Sequence, residues 1–282
     1  MKKLTALLCL LLSLVSCEKE TSWTLHTNDS NYIVVDGLIT NENKIQQIKL
    51  TKPYTFDNDS PAVVSGASLV VSSNDKIYYF HEDQENPGTY LSNDLFAAKI
   101  NREYSLLISY ENKIVTSKAR MAVGTEFIFL RYTLDKDSRL YKITWVANPF
   151  NALRPAMYEI LLDWSAVAGY ENQTYDETHA RLLYYSLPTI DVSQIFAPEM
   201  ESIRFPSGTT ITERKYSLTT EHAAYLRALL SETTWQGGLF NTAPANLPTN
   251  LSGNGMGYFG ICAVIQKTEI AGVTMNTNPN YK

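Results

Sequence analysis

From Tyr32 onward the chain is written in short runs that alternate apolar and polar positions, the period of a half-buried strand. Tyr32 to Ile39 and Ile45 to Thr51 read as two strands around Asn41-Glu42-Asn43. Ala67, Leu69 and Val71 share one face of a third run, and Asn74-Asp75 turns it into Lys76 to His81. Pro87-Gly88 precedes Thr89-Tyr90-Leu91, and Tyr104, Leu106 and Ile108 alternate before Glu111-Asn112 turns into Lys113 to Ser117. Strands this short, with turn residues at this spacing, predict an antiparallel sandwich. An immunoglobulin-like β-sandwich is therefore expected over 31–121.

The remainder, 122–282, predicts a second, mostly antiparallel β domain with one packed helix. Its candidate strands are Glu126 to Leu134, Leu140 to Ala147, Met157 to Trp164, Ala180 to Leu187, Ser202 to Phe205, Thr209 to Tyr216 and Gly257 to Gln266. The helix is expected over 219–232. Thr219 can cap it, Glu221 suits its positive end, and Ala223, Leu226, Leu229 and Leu230 form the apolar stripe. Pro244 to Gly257 has no period and is dense in Pro, Asn and Gly.

The first thirty residues follow a different grammar. Lys2 and Lys3 precede an apolar run from Leu4 to Val15 that is too short to span ~30 Å of hydrocarbon. The run ends in Leu14-Val15-Ser16-Cys17, which resembles the lipobox of bacterial lipoproteins. A thiol is needed there to take the diacylglyceryl group, and small residues before it admit the peptidase. Residues 1–16 are expected to be a signal peptide, Cys17 the lipidated residue, and 17–30 a polar tether. Two or more acyl chains anchor stably, at ~0.8 kcal/mol for each buried CH2. Glu18 and Glu20 resemble the acidic signal that sends such lipoproteins to the outer face of the outer membrane.

Composition narrows the function classes. With Lys2 and Lys3 removed, 22 Lys and Arg stand against 29 Asp and Glu, without a basic run. Nucleic-acid binding, which needs clustered cations, is not expected. Of three cysteines, Cys9 leaves with the signal and Cys17 is acylated. Cys262, in Gly260-Ile261-Cys262-Ala263-Val264, is then expected to be a small core residue. The 18 tyrosines suit half-buried strands.

Catalytic phrases are absent. His81-Glu82 lacks the second His of a zinc-protease helix, and neither a G-x-S-x-G elbow nor a phosphate loop occurs. No cofactor and no metal is expected. Asp57-Asn58-Asp59-Ser60 and Asp135-Lys136-Asp137-Ser138 begin like calcium loops. Ala62 and Ser68, or Leu140 and Val146, then occupy the places of the required Gly and Glu. For an enzyme, Glu171, Asp176 and His179 form the cluster to test.

Several pieces recur in an order that resembles a family of Bacteroides-phylum lipoproteins, the domain of unknown function 4249. They are Tyr32 to Thr40, Ile48-Lys49-Leu50-Thr51, Pro53-Tyr54, Val64-Ser65-Gly66-Ala67 and Pro87-Gly88-Thr89-Tyr90. Ala245-Asn246-Leu247, Asn250-Leu251 and Gly255-Met256-Gly257-Tyr258-Phe259-Gly260 follow. The resemblance implies a two-part β lipoprotein, often encoded beside TonB-dependent outer-membrane transporters. It thus implies a transporter's surface partner and no established chemistry; with catalytic phrases missing, a non-enzymatic protein in nutrient capture or uptake is expected. Tyr54 to Ser65, Asn148 to Pro155 and Pro244 to Gly257 are the loops that could hold a ligand or partner. The competing reading is a structural or adhesive surface lipoprotein that works without a transporter.

Overall fold

The computed structural model describes residues 32–53, 61–74, 76–189, 203–233 and 247–273. The signal peptide, Cys17, the tether and the Asp57-Asn58-Asp59-Ser60 cluster lie outside them. So do parts of two candidate loops, 54–60 and 244–246. The protein is mostly β, as the alternation predicts.

In the N-terminal half the strands are β1 (Ile33–Thr40), β2 (Gln47–Thr51), β3 (Ser68–Ser73), β4 (Lys76–Glu82), β5 (Thr89–Ser92), β6 (Glu103–Tyr110) and β7 (Lys113–Arg120). Their inward positions, among them Val35, Leu50, Leu69, Val71, Tyr104, Leu106 and Ile108, are buried in one core. Sandwich-like packing of this half is met, with an addition from the far end of the chain. β14 (Leu251–Gly253) pairs with β7, and β15 (Gly255–Ile270) pairs with β1. Only Asn254 separates them, so one bent strand joins the two ends of the N-terminal sheet. Leu251, Phe259 and Ile261 complete its core. The β1–β15 pairing is parallel, Ile33 opposite Gly255 through Thr40 opposite Cys262, which makes the sheet mixed.

β15 is longer than the expected Gly257 to Gln266 because it serves both halves. Its second part, from Ala263, pairs antiparallel with β13 (Thr210–Ser217). β13 pairs with β10 (Ala156–Asp163), and β10 with β11 (His179–Ser186). The twelve-stranded order is β11-β10-β13-β15-β1-β2-β5-β4-β3-β6-β7-β14. A smaller sheet, β12-β9-β8, is formed by β8 (Arg131–Leu134), β9 (Tyr141–Trp145) and β12 (Arg204–Phe205). Phe129, Leu130, Ile143, Ile160, Leu162, Phe205 and Ile211 form the second core.

Two expectations are corrected. The strand read over Glu126 to Leu134 begins only at Arg131; the preceding backbone is held by side chains instead. Leu130 N donates to Glu213 Oε2 at 2.8 Å, and Lys267 Nζ donates to Phe127 O. A four-residue helix, α1 (Tyr175–Thr178), also stands in what reads as a polar loop. Glu177 Oε2 accepts from Thr174 N at 2.9 Å and closes its first turn.

The expected helix forms as α2 (Thr220–Thr233). Thr219 Oγ1 accepts from His222 N at 3.2 Å, the capping role expected of it. Ala223, with Leu226 and Leu230, packs on Tyr216, Leu218, Cys262 and Val264. Cys262 is fully buried, as expected of a small core residue. Among the described residues, no helix is long and apolar enough to cross a membrane.

Candidate functional site

Polar groups gather where the two halves meet, on the face of the β10–β13 pair that looks toward the β1–β2 turn. Glu159 lies directly opposite Arg214 in the ladder. Its carboxylate accepts from Arg181 Nε at 2.7 Å, Tyr216 Oη at 2.7 Å and Arg214 Nη1 at 3.1 Å. Burial pushes the Glu159 carboxyl up. The bonds from Tyr216 and Arg181 and the nearby guanidinium charges outweigh that, holding it below the usual range. Arg214 Nη2 continues to Glu42, 2.7 Å from both oxygens, and Lys44 Nζ joins at 2.7 Å.

Gln46 sets the Glu42 turn. Its fully buried amide donates to Glu42 O at 2.9 Å and Phe96 O at 2.8 Å, and accepts from Thr40 N at 3.1 Å. Asn41 Oδ1 accepts from Val264 N at 2.7 Å where β1 leaves the ladder. Every charge in this cluster is paired, so it acts as a clamp between halves rather than as a reactive centre.

On the opposite face of β13, Lys215 Nζ donates to Thr125 Oγ1 at 2.7 Å and Thr125 O at 3.1 Å. This fastens the connection between the halves. Burial lowers the Lys215 ammonium. Glu213 is fully buried and bonds Leu130 N through Oε2, while Oε1 has no partner among the described residues. Burial pushes Glu213 up to about 7.

Two open clefts lie near the seam. One, of about 370 Å³, is lined by Val123, Thr125, Leu153, Arg154, Pro155 and Leu218. It contains the tip of the expected loop Asn148 to Pro155. Asn151 Oδ1 accepts from Leu153 N at 3.2 Å and Arg154 N at 2.9 Å, and Asn151 N donates to Leu187 O at 2.9 Å. These bonds fix a turn that holds the Leu153 side chain out, with the residue 90% exposed. Val123 beside it is also exposed.

The other cleft, of about 270 Å³, lies at the start of α2 between His222, Tyr258, Gly260, Asn250, Lys118 and Arg120. His222 is nine-tenths buried and stacks on Tyr258 at 4.5 Å. Its Nδ1 lies 3.8 Å from Cys262 Sγ. Burial alone drives His222 down to about 4 and Cys262 up to about 12, so both are neutral near pH 7 and the pair is not a nucleophilic thiolate–imidazolium couple.

The other sequence candidates separate. Described residues of the Pro244 to Gly257 loop serve the scaffold: Asn250 brackets Phe259, donating to its O at 2.7 Å and accepting from its N at 3.1 Å. His179 is bonded by Asp163 at 3.3 Å and Tyr175 O at 3.1 Å; neither Glu171 nor Asp176 bonds it. Glu171 caps Gly169 N instead. Asp135 folds back on Asp137 N at 3.0 Å and pairs with Arg204 at 3.3 Å, so its carboxylate serves its own turn. Among the described residues, no three His, Cys, Asp or Glu side chains gather as a metal site.

Several family-like pieces meet at one corner of the framework. Tyr90 Oη donates to Val64 O and accepts from Ala67 N, both at 2.9 Å, while Glu82 accepts from Gly66 N and Gly88 N, both at 2.8 Å. The family model described as domain of unknown function (DUF4249) matches residues 18–268. A comparison with curated proteins finds no match.

Proposed function

The chain belongs to the DUF4249 family, and on that premise we propose that it is a lipid-anchored protein of the outer membrane. In this reading it faces the cell exterior, does no chemistry of its own, and partners a TonB-dependent transporter in nutrient capture or uptake. The observation that carries the reading is the run Leu14-Val15-Ser16-Cys17 behind a short apolar core, with Glu18 and Glu20 directly after it. The stretch matched by the family begins at residue 18, immediately beyond that cysteine.

A rigid β scaffold with a leucine-tipped turn supports the partner role. Leu153 and Val123 offer a small apolar contact beside the seam, and Arg154 supplies a charge at its rim. The paired carboxylates of the Glu42–Arg214–Glu159 cluster support a scaffold, since each is already neutralised by a neighbour.

Fractionation tests the anchor. Cys17→Ala is expected either to run at the larger size of the uncut precursor or, if it is cut, to appear in soluble form. A variant that stays in the membrane at the size of the parent overturns the lipid assignment. Protease added to intact cells tests the face: cleavage is expected, and full resistance while another surface protein is cut places the chain on the inner leaflet.

A further inference from the structure

We propose that the cleft beside the Asn148 to Pro155 loop binds a small aliphatic carboxylate. In this site Arg154 and the Lys215–Thr125 corner meet the head of the ligand, and Val123, Leu153 and Leu218 meet its apolar body. The site serves the chain's own ligand, whether or not the same turn also touches a transporter.

Two cations at this cleft lack an acid of their own. The Arg154 side chain forms no hydrogen bond or ion pair with a described residue, although Asn151 Oδ1 fixes its backbone N at 2.9 Å. Lys215 Nζ hydrogen-bonds only to Thr125, at Oγ1 and O, both uncharged. Burial first, and then the Arg154 charge, lower the Lys215 ammonium, so the two cations act on one another. The acid that acts on Lys215 is Glu126. Its side chain is 80% exposed and lies 3.6 Å from Lys267. An entering anion restores the balance.

β13 also brings an unused hydroxyl to the same cleft. Ile211, Glu213, Lys215 and Ser217 alternate along the strand and share one face. The connection 122–125 covers that face. Lys215 reaches Thr125, and a Cβ on Gly124 would lie 3.1 Å from Ala263, the ladder partner of Ser217. Ser217 lines the cleft, is 5% exposed, and its Oγ has no partner among the described residues. A buried hydroxyl left unpaired is costly, and a carboxylate oxygen is the acceptor it lacks.

The rest of the wall sets the ligand class. Among the described residues, no acidic side chain lines the cleft, and Val123, Leu153, Pro155 and Leu218 make most of the lining apolar. Leu153 and Val123 are exposed, so covering them with an aliphatic body is favourable. The planar fork of Arg154 matches a carboxylate. A volume of about 370 Å³ lies within the range of small-molecule sites, roughly 300–1,000 Å³. A hydrated inorganic anion gains nothing from such walls.

The test is thermal melting of the full chain in neutral detergent, with hexanoate as the probe. Acetate, hexylamine and inorganic phosphate are the comparisons, all at matched ionic strength. Hexanoate at about 100 mM, with a Kd of about 1 mM, should raise the midpoint by roughly 5 °C. Arg154→Gln and Leu153→Asp, both changes of exposed residues, should each weaken binding roughly ten-fold, so that the rise falls by about half. Their midpoints without ligand report the fold. An equal rise with acetate or hexylamine overturns the aliphatic carboxylate assignment, as does a rise with phosphate and none with hexanoate. No rise with hexanoate, or a rise undiminished in either variant, overturns the site.

Discussion

Arg214, in the middle of β13, places Nη2 2.7 Å from both carboxylate oxygens of Glu42 in the turn after β1, across 172 positions of sequence. The same guanidinium bonds Glu159 at 3.1 Å. One planar side chain thus joins the C-terminal strands of the large sheet to the turn between its N-terminal ones, a fork that a lysine point charge cannot reproduce.

Replacing Arg214 with Ala should therefore cost more than its exposure suggests. Glu159, with its side chain only 9% exposed, is left with Arg181 and Tyr216 alone. A loss of about 3 kcal/mol is expected, the scale of breaking a buried pair. Glu42→Gln, on a carboxylate about a third exposed, should cost about 1 kcal/mol or less. Urea denaturation of both variants checks the ordering, and equal losses contradict the clamp.

Glu213 gives the protein a stability that falls with rising pH. Its folded-state value of about 7 lies above the ordinary 4.5, so the folded chain holds a proton that the unfolded chain has released. Stability from this group is fully present below about 4.5, declines as pH rises toward 7, and stays low above it. Glu213→Gln keeps an acceptor for Leu130 N and removes the penalty. It should be more stable by roughly 3 kcal/mol at about pH 8, with the gain shrinking toward zero as pH falls through about 4.5. Melting curves across that range check it, and a pH-independent gain contradicts the assignment.

Gly257 tests the parallel pairing that joins β15 to β1. Its φ of +88° disfavours any side chain, and a Cβ there would run into Val35 O. Gly257→Ala should cost more than about 3 kcal/mol, combining a strained backbone with a lost ladder contact. Soluble, cooperatively melting protein with an unchanged midpoint would show that the pairing is dispensable.

Leu153→Asp separates stability from function. The residue is 90% exposed, so the change should move the melting midpoint by less than about 0.5 kcal/mol equivalent. Co-purification with a transporter should drop sharply if this turn is the contact. Undiminished recovery assigns the contact to another loop.

Much of the scaffold was legible because period two is a local signal. Leu69 and Val71, or Tyr104, Leu106 and Ile108, announce their inward face without knowledge of their partners. The helix was equally legible from Thr219 and the Ala223–Leu226–Leu230 stripe. α1 carried a readable mark, Thr174 three residues before Glu177, inside a segment whose polarity suggested loop. The strand read over 126–130 failed for a different reason. The apolar alternation of Phe127 and Phe129 reports burial, but Glu213 and Lys267, far along the chain, hold that backbone in place of a ladder.

The seam and both clefts were not legible, since their partners are distant in sequence. Glu42 reads as a turn residue until Arg214 is seen beside it. In the sequence His222 is only a residue of a helix's first turn; that Gly260, Tyr258 and Cys262 lie against it is seen in the structure alone. The expected loop Asn148 to Pro155 did become a cleft wall, through hydrogen bonds from Asn151 that composition alone does not specify.

The central claim, that this DUF4249 chain partners a transporter at the outer membrane, is tested most directly by one pull-down. The tagged, full-length protein is extracted from outer membranes in mild detergent and its partners are identified by mass spectrometry. A stoichiometric TonB-dependent transporter is the predicted result. Recovery of the chain alone, under conditions that keep another transporter complex intact, contradicts the account and leaves the adhesive reading in its place.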